Sequence, residues 1–385
     1  IRSCETNMAG GRDVPPVDLF SCILERMKKE ETRHATLYRR YRPSSFDEVR
    51  GQDHVVGVLE KEVKNKKPAH AYLFAGSRGT GKTSVARILS RELGVSAKDL
   101  YEIDAASNRG IDDIRELREG VYAMPFESPY RFYIIDEAHM LTKEAWNAFL
   151  KTLEEPPSHA IFVLATTDRD RVPETIQSRC EIYNFKQPTQ AMLAEIVADV
   201  AKREGYSLER SASELVALLA EGSFRDALSI LQKVLAMSEN PSIGLGAGKK
   251  IEVSEVEAVS GAPRGELVRQ ILEALGKKDS NAGLKVIQTA VSENMDARTL
   301  AKLLIHRMRV VLLMRYAPDL AEVLSKEITE ADLALAKSLS KNSGVNSEML
   351  RALLGAYSQM AYAALPHLPL ELALIEICAN DNKSA

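Results

Sequence analysis

Cysteine is scarce in this 385-residue sequence, and the four present, Cys4, Cys22, Cys180 and Cys378, form no CxxC pair. Such scatter argues against a disulfide framework or a zinc site and is typical of a reducing compartment. Long apolar runs are lacking too, since none approaches the ~18 uninterrupted apolar residues of a membrane-spanning helix. We therefore expect a soluble, unsecreted, cytoplasmic protein.

A strong net charge is also lacking, because 51 basic and 54 acidic residues leave a formal charge of −3 at pH 7. Without a global basic field, any contact with DNA has to come from a local patch. The hydrophobic share of 45% is that of a globular chain, whose length fits two or three domains. Residues 1–36 have no clear period and end in a charged run, so we expect a tail whose composition suits disorder.

Between residues 37 and 187, short apolar runs alternate with amphipathic stretches. Runs of this length between helical segments are typical of a parallel sheet covered on both faces. We therefore predict an α/β domain over 37–187, with a five-stranded parallel sheet whose ligand site lies at the carboxyl ends of the strands. The predicted strands are 71–75, 100–104, 131–136, 161–166 and 180–185.

After Pro188 the pattern changes to helices only. We predict a small helical domain over 188–243, with helices over 190–204, 211–222 and 224–237. The glycine-rich segment 241–250 predicts a flexible linker. Beyond it, Ser254 and Glu257 predict a capping box that opens an all-helical bundle over 251–385.

The strongest motif has the pattern GxxxxGKT and stands between the first predicted strand and a helix. Glycines let backbone N–H groups wrap phosphates, Lys82 neutralises the outer phosphates, and the Thr83 hydroxyl ligates Mg²⁺. The flanking strand and helix speak against a chance glycine-rich turn. The predicted ATP-binding residues here are Gly76, Ser77, Arg78, Gly79, Thr80, Gly81, Lys82, Thr83 and Ser84.

The third predicted strand ends in two carboxylates, Asp136 and Glu137. Asp136 can hold Mg²⁺ while Glu137 orients the attacking water, since phosphoryl transfer depends mainly on positioning and charge neutralisation. An Asp-Glu strand end is a weak signal alone and a strong one downstream of a P-loop. His139 completes the sequence Asp136-Glu-Ala-His139, which is the motif of DEAH helicases. Such a helicase needs a second RecA-like domain, and the helical second half of the chain leaves no room for one. We interpret His139 as a packing or polar-contact residue.

The residues alone leave three further candidates open. Thr167, after the fourth strand, could bond the γ-phosphate or the attacking water, although a threonine that merely ends a strand fits equally well. Arg179, before the last strand, could reach a neighbouring subunit's nucleotide, but a surface arginine is the simpler interpretation. Arg225 opens a helix of the second domain and either reaches the phosphates or faces solvent.

The motifs described above, together with several further segments in the same order along the chain, resemble the gamma/tau subunit family of bacterial DNA polymerase III over residues 37–379. The resemblance is dense in the first domain and weaker in the helical end, and Ser178-Arg179-Cys180 with Thr152-Leu-Glu-Glu-Pro-Pro157 is its most specific part. The other segments are Tyr38-Arg-Arg-Tyr-Arg-Pro43, Phe46-Asp-Glu-Val-Arg-Gly51-Gln, Ala71-Tyr-Leu-Phe, the P-loop, Glu102-Ile-Asp-Ala-Ala-Ser107, Leu164-Ala-Thr-Thr-Asp168 and Leu368-Pro-Leu-Glu-Leu-Ala-Leu.

The resemblance implies an AAA+ ATPase domain over 37–187, a helical lid over 188–243 and an all-α collar over 251–385. It further implies a clamp-loader subunit without a polymerase site of its own, which works in a pentameric ring with related subunits. ATP and Mg²⁺ are the implied cofactors. The implied partners are the sliding clamp, which ATP binding opens, and primer-template DNA, on which hydrolysis releases the clamp; no membrane is involved.

The family's functional positions carry over residue by residue. Thr83 and Asp136 become the Mg²⁺ ligands, and Arg42 and Val49 fall in the segment near the adenosine. The implied catalytic residues are Lys82, Asp136, Glu137, Thr167 as sensor 1, Arg179 as an arginine finger acting in trans, and Arg225 as sensor 2. Arg109 and Lys143 stand at helix starts that in the family track duplex phosphates, although solvated charged helix ends fit equally well.

Two departures from the family pattern affect these expectations. Residues 92–100 bridge the place of the usual four-cysteine zinc module without a cysteine, so we expect no zinc. A small subunit of the replication factor C type is then harder to exclude. The 385 residues also stop where the family's third domain should end, before the place of a tau-type extension. Further alternatives are an AAA+ branch-migration motor and a purely structural ring subunit, which would have no use for Lys82 or Glu137.

Overall fold

The computed structural model describes residues 35–108, 110–238, 250–319, 330–342 and 344–379. The predicted tail up to residue 34 and nearly all of the predicted linker lie outside these ranges. The chain divides into two units, residues 1–42 and 43–385. In the first unit, the described residues include the short helix α1 (Leu37–Arg40).

The second unit contains a five-stranded sheet in the order β2-β3-β4-β1-β5, and all of its pairings are parallel. This confirms the predicted α/β fold. The inner strands β1, β3 and β4 are buried almost throughout, whereas the edge strands β2 and β5 are not, because an edge strand has a neighbour on one side only. The strands are β1 (Ala71–Ala75), β2 (Leu100–Asp104), β3 (Arg131–Asp136), β4 (Ala160–Thr166) and β5 (Glu181–Asn184).

Helices cover both faces of the sheet, and successive strand residues alternate between two cores. Phe74 points into the core under the helices α2 (Asp53–Asn65) and α3 (Lys82–Glu92). Leu73 belongs to the opposite core, which it shares with residues of α4 (Ile111–Val121), α5 (Lys143–Glu154) and α6 (Glu174–Gln177). This alternation follows from the two-residue period of a strand and explains why the strands read as continuous apolar runs.

Three helices follow the sheet, α7 (Gln190–Arg203), α8 (Arg210–Leu219) and α9 (Phe224–Ser238), close to their predicted bounds. The prediction of helices only was wrong, because β6 (Ser207–Leu208) pairs in parallel with β7 (Lys250–Ile251). Lys250 is therefore strand and not linker. Ile251 is 1% exposed in this pairing, and Glu209 N donates to the Ile251 carbonyl (2.9 Å). Burial and backbone hydrogen bonds thus stabilise the extended conformation of β6 and β7.

The rest of the described chain is helical, as predicted. Its core includes Ile271, Leu304, Met308 and Leu374. The helices are α10 (Val253–Ser260), α11 (Gly265–Lys277), α12 (Ser280–Ser292), α13 (Ala297–Tyr316), α14 (Glu330–Ser340), α15 (Ser347–Gln359) and α16 (Leu368–Ala379).

The predicted capping box at Ser254 and Glu257 was wrong by two residues. The box is formed by Glu252 and Glu255, because the pairing of β7 lets the helix begin already at Val253. Across the described ranges, no helix combines the length and apolar character needed to cross a membrane.

Candidate active site

The P-loop connects β1 to α3 at the carboxyl edge of the sheet. Gly79 and Gly81 have φ angles of +73° and +100°, a region that only glycine adopts without strain. Space is also restricted at Gly79, where a Cβ atom would stand 2.0 Å from Ser223 Oγ. Phe224 N donates to the Gly79 carbonyl (3.1 Å), so α9 begins in direct contact with the loop.

Lys82 is only 6% exposed, and its amine lies inside the loop. Nζ donates to the carbonyls of Gly76 (2.7 Å) and Ser77 (2.9 Å). Burial lowers the pKa of Lys82 below its ordinary value, while the Glu137 and Asp136 carboxylates raise it. The amine is therefore positioned where a phosphate held by the loop would meet it.

Asp136 and Thr83 form the contact between β3 and the start of α3. The Thr83 hydroxyl donates to Asp136 Oδ2 (2.9 Å), and Glu137 N donates to Asp136 Oδ1 (3.0 Å). Carboxylate and hydroxyl oxygens are ligands that Mg²⁺ accepts in proteins. The donor set thus fits a magnesium ion at this point.

Glu137 and Thr167 meet although thirty positions separate them in sequence, because β3 and β4 are adjacent and parallel. The Thr167 hydroxyl donates to Glu137 Oε2 (3.1 Å). Glu137 itself has φ +48°, the left-handed region that non-glycine residues rarely adopt and that is concentrated at functional sites. Strand β4 lies between β1 and β3, so Thr167 stands between the P-loop and the carboxylate pair.

Arg225 is the second residue of α9 and is exposed. It follows Phe224, whose N–H binds the P-loop, and is thereby placed beside that loop. The turn before it is held from two sides: Gln187 Nε2 donates to the Glu221 carbonyl (2.9 Å), and Lys302 Nζ donates to Glu221 Oε1 (3.1 Å). This turn therefore links the sheet, the P-loop and the C-terminal helices.

Arg179 is not brought together with the P-loop of its own chain. It precedes β5 at the amino end of the sheet, whereas the P-loop follows the carboxyl end of the adjacent β1; at ~3.3 Å per strand residue the two are roughly 15 to 20 Å apart. Its guanidinium contacts Glu154 Oε1 (2.8 Å) and the Thr175 carbonyl (2.6 Å).

The remaining candidates are dispersed. Val49 is partly buried against the core under α2 and α3, and Arg42 belongs to the first unit. Lys143 is exposed at the first position of α5, behind Thr142, whose hydroxyl accepts the capping bond from Ala145 N (3.2 Å). Arg109 lies outside the described residues. In the loop itself, Arg78 is exposed and Thr80 is buried, with its hydroxyl donating to the Ser77 carbonyl (2.9 Å).

Sequence reasoning missed Gln52 as part of the site. Gln52 is 1% exposed, and its side chain makes two hydrogen bonds with the Lys186 backbone. Gln52 Nε2 donates to the Lys186 carbonyl (2.7 Å), and Lys186 N donates to Gln52 Oε1 (3.0 Å). Nε2 also reaches the Thr80 carbonyl at 3.5 Å. Gln52 thus connects the exit of β5 to the P-loop, and the only signal for it was its place in the Gly51-Gln52 segment.

Comparisons with known proteins agree with this geometry. Residues 94–189 match a family described as DNA polymerase III, delta subunit, and residues 193–240 match the DNA polymerase III clamp loader subunit, ATPase lid domain. A solved structure of the Thermotoga maritima RuvB Holliday junction branch migration motor covers 61% of this chain and 79% of its own, at 23% identity and a TM-score of 0.49. That likeness is too distant to bear on function.

Among curated relatives, DNA polymerase III subunit tau of Bacillus subtilis is 33% identical over 374 residues, or 91% of this chain and 64% of that protein. Subunit tau of Escherichia coli is 33% identical over 304 residues, or 73% of this chain and 46% of that protein. The chain thus spans less than two thirds of the length of these relatives. Over that shared length it is similar to the gamma/tau subunits of bacterial DNA polymerase III.

Proposed function

We propose that this chain is an ATP-driven clamp-loader subunit, which hydrolyses ATP so that a ring of related subunits opens a sliding clamp and places it on primer-template DNA. The observation that carries the proposal is the cluster of Thr83, Asp136, Glu137 and Thr167. Thr83 lies at the start of α3, the carboxylates at the end of β3 and Thr167 after β4, and hydrogen bonds link them beside the P-loop. Such an arrangement of hydroxyls and carboxylates suits phosphoryl transfer to water.

Each group has a role that follows from its position. Backbone N–H groups of the loop and of the start of α3 bind the phosphates, and Lys82 neutralises their outer charge. Thr83 and Asp136 would hold Mg²⁺, which would neutralise charge on the phosphate oxygens. Thr167 occupies Glu137 Oε2, which leaves Oε1 to orient the attacking water. The expectation that the chain holds no zinc stays a prediction.

Arg179 completes the site of a neighbouring subunit in this proposal. Its place at the amino end of the sheet keeps it away from its own P-loop, so its guanidinium can stabilise the transition state only at the P-loop of another copy or a related chain. Hydrolysis is thereby coupled to assembly of the ring.

Replacement of Arg179 tests this step. In a complex assembled with partner subunits, Arg179→Ala is expected to keep ATP binding and to lose DNA-stimulated turnover on the order of 1,000-fold. The matched control is Arg203→Ala, which removes a surface arginine paired with Asp199 in α7 (2.8 Å) and should leave turnover unchanged. Full turnover of the assembled Arg179→Ala complex would remove the assignment in trans.

The proposed domain division is the one predicted from the sequence: a nucleotide-binding domain over 37–187, a lid over 188–243 and a collar over 251–385.

Support for a collar that assembles subunits comes from α16, which is apolar on two sides. Leu370 and Leu374 face the core, while Leu368, Leu372 and Ile375 are exposed by 39%, 48% and 43%. Their spacing of four and three residues makes them one stripe, and an exposed apolar stripe is typical of an interaction surface.

A second exposed apolar feature suits the sliding clamp as partner. Tyr122, Met124 and Phe126 are 59%, 73% and 72% exposed in the loop between α4 and β3. The loop is not loose, because the Asp99 carboxylate accepts bonds from the backbone N–H groups of residues 126, 127 and 128 (2.7 to 3.1 Å). Apolar side chains held out on a pinned loop bind at a low entropic cost.

Contact with DNA is proposed at Lys143 and Arg109. Lys143 stands exposed at a helix start, where backbone N–H groups and a lysine together attract a phosphate. Arg109 is proposed on the sequence alone.

An ATPase assay with and without primer-template DNA and sliding clamp tests the function as a whole. Turnover stimulated by both together supports clamp loading. Turnover indifferent to both would contradict it, and unwinding of a forked duplex would favour a motor instead. Lys82→Ala serves as the inactive control, since it removes the charge that the loop places on the phosphates.

A further inference from the structure

His139 stands two residues after Glu137, in the single turn 138–140 that follows β3. Its side chain is only 11% exposed. Nδ1 lies 3.1 Å from Thr166 Oγ1 and 3.5 Å from Glu137 Oε2. The imidazole therefore touches both the carboxylate expected to orient the attacking water and the last residue of β4.

The hydrogen bonds of Thr166 favour one tautomer of the His139 ring. The Thr166 hydroxyl has one hydrogen, which lies within bonding distance of the Asp168 carbonyl (2.9 Å), and it accepts from Asp168 N (3.0 Å). With that hydrogen on the Asp168 carbonyl, the remaining lone pair accepts from His139 Nδ1 (3.1 Å). A protonated Nδ1 is also what the nearby Glu137 oxygen requires, because a lone pair there would repel the carboxylate.

Thr166 is itself fixed to the P-loop. It is fully buried, and its carbonyl accepts a hydrogen bond from Gly76 N (3.2 Å). A continuous path thus runs from the first glycine of the P-loop through Thr166 and His139 to Glu137. On the other side, Thr167 donates to the same Glu137 oxygen.

We infer that His139 is a positioning residue for hydrolysis: its Nδ1–H, bonded to Thr166, lies 3.5 Å from Glu137 Oε2, and the attraction between this N–H dipole and that oxygen keeps the other carboxylate oxygen aimed at the attacking water. This inference rests on the proposed function and adds a residue to it. His139 touches Glu137 and not the nucleotide, so its loss lowers the turnover rate and leaves ATP affinity unchanged.

Asparagine and glutamine distinguish this role from packing. The amide nitrogen of Asn occupies nearly the place of Nδ1, whereas that of Gln occupies nearly the place of Nε2. In the assembled complex with primer-template DNA and clamp, we expect kcat of His139→Asn near that of the unaltered protein. For His139→Gln we expect a fall of roughly 10- to 100-fold, the range that misplacement of a reacting group costs. The Kd for ATP should be the same in both variants.

A second variant covers the case in which His139→Gln folds poorly. Thr166→Val keeps the shape of the side chain and removes the hydroxyl that fixes His139. We expect the same fall in kcat as for His139→Gln. The double variant Thr166→Val/His139→Gln should show no further loss of kcat. His159→Gln is the control, because that histidine bonds the Val121 carbonyl through Nε2 (3.0 Å) at the amino end of β4.

Two results would overturn the inference: equal kcat in the Asn and Gln variants, or a Kd for ATP that rises in step with the loss of kcat. Failure of the proposed function looks different. If the proposed function is wrong, the Lys82→Ala and Glu137→Gln variants keep their ATP turnover, and the role of His139 in hydrolysis is then contradicted as well.

Discussion

Gly79→Ala is the substitution whose outcome the structure defines best. The new Cβ would stand 2.0 Å from Ser223 Oγ and 2.8 Å from Ser223 Cβ, so the start of α9 has to recede. Rotation of Ser223 relieves only the first contact and breaks the bond that its Oγ accepts from Asp226 N (3.2 Å). Recession instead breaks the bond from Phe224 N to the Gly79 carbonyl.

The magnitude follows from these losses. A non-glycine residue with left-handed φ costs about 1–2 kcal/mol. Loss of a hydrogen bond or of a helix cap costs about 1 kcal/mol each. Because only one of these two bonds is lost, we expect Gly79→Ala to lower the free energy of unfolding by about 2–3 kcal/mol. ATP binding should weaken as well, because the same shift moves Arg225 away from the loop.

Urea unfolding followed by the fluorescence of Trp146, the single tryptophan and 4% exposed, measures this effect. Ser223→Gly removes both clashing atoms at a cap cost of only a few tenths of a kcal/mol. The double variant should therefore be more stable than Gly79→Ala alone by about 1 kcal/mol. The control is Gly57→Ala in α2, which has open space around it and should be neutral or stabilising. An unchanged stability of Gly79→Ala, or a double variant worse than the sum of the singles, refutes the reasoning.

Three further predictions concern other parts of the chain. Burial raises the pKa of Asp99, but backbone N–H groups and Ser128 bind the carboxylate and lower that pKa from 3.8 to about 2. Asp99→Asn should therefore be less stable at pH 7, and the difference should shrink as the pH falls from about 4 to about 2. Lys302→Met and Glu221→Gln should show a coupling of about 1 kcal/mol in a double-mutant cycle. Burial raises the pKa of Cys180 to about 12, so its thiol should react slowly with a thiol reagent at pH 8.

Each of these has a clear contrary result. A stability difference for Asp99→Asn that persists unchanged at pH 2 would mean that the carboxylate charge does not pin the loop. Additive stability effects of the Lys302 and Glu221 substitutions would mean that their ion pair, between α13 and the turn before α9, contributes nothing to the free energy of unfolding. Reaction of Cys180 as fast as that of an unfolded cysteine, measured in urea, would contradict its burial.

The sequence determined the elements whose signal is local. Each inner strand is covered on both faces, so it reads as an unbroken apolar run, and β1 and β3 fall at the predicted residues. The P-loop was equally readable, because its glycines, Lys82 and Thr83 are required at fixed spacing within one turn. The predicted capping box failed because the true cap at Glu252 depends on β7, which a distant strand holds in place.

Only the tertiary structure decided which distant residues meet. Parallel pairing of β3 with β4 places Thr167 and Thr166 beside Glu137 and His139, and no periodicity in either strand records that neighbour. The same holds for the contact of Ser223 with Gly79, since a positive φ and a missing Cβ matter only once another part of the chain approaches. Local chemistry is written in residue order, whereas a site built from several strand ends depends on the order of the strands in the sheet.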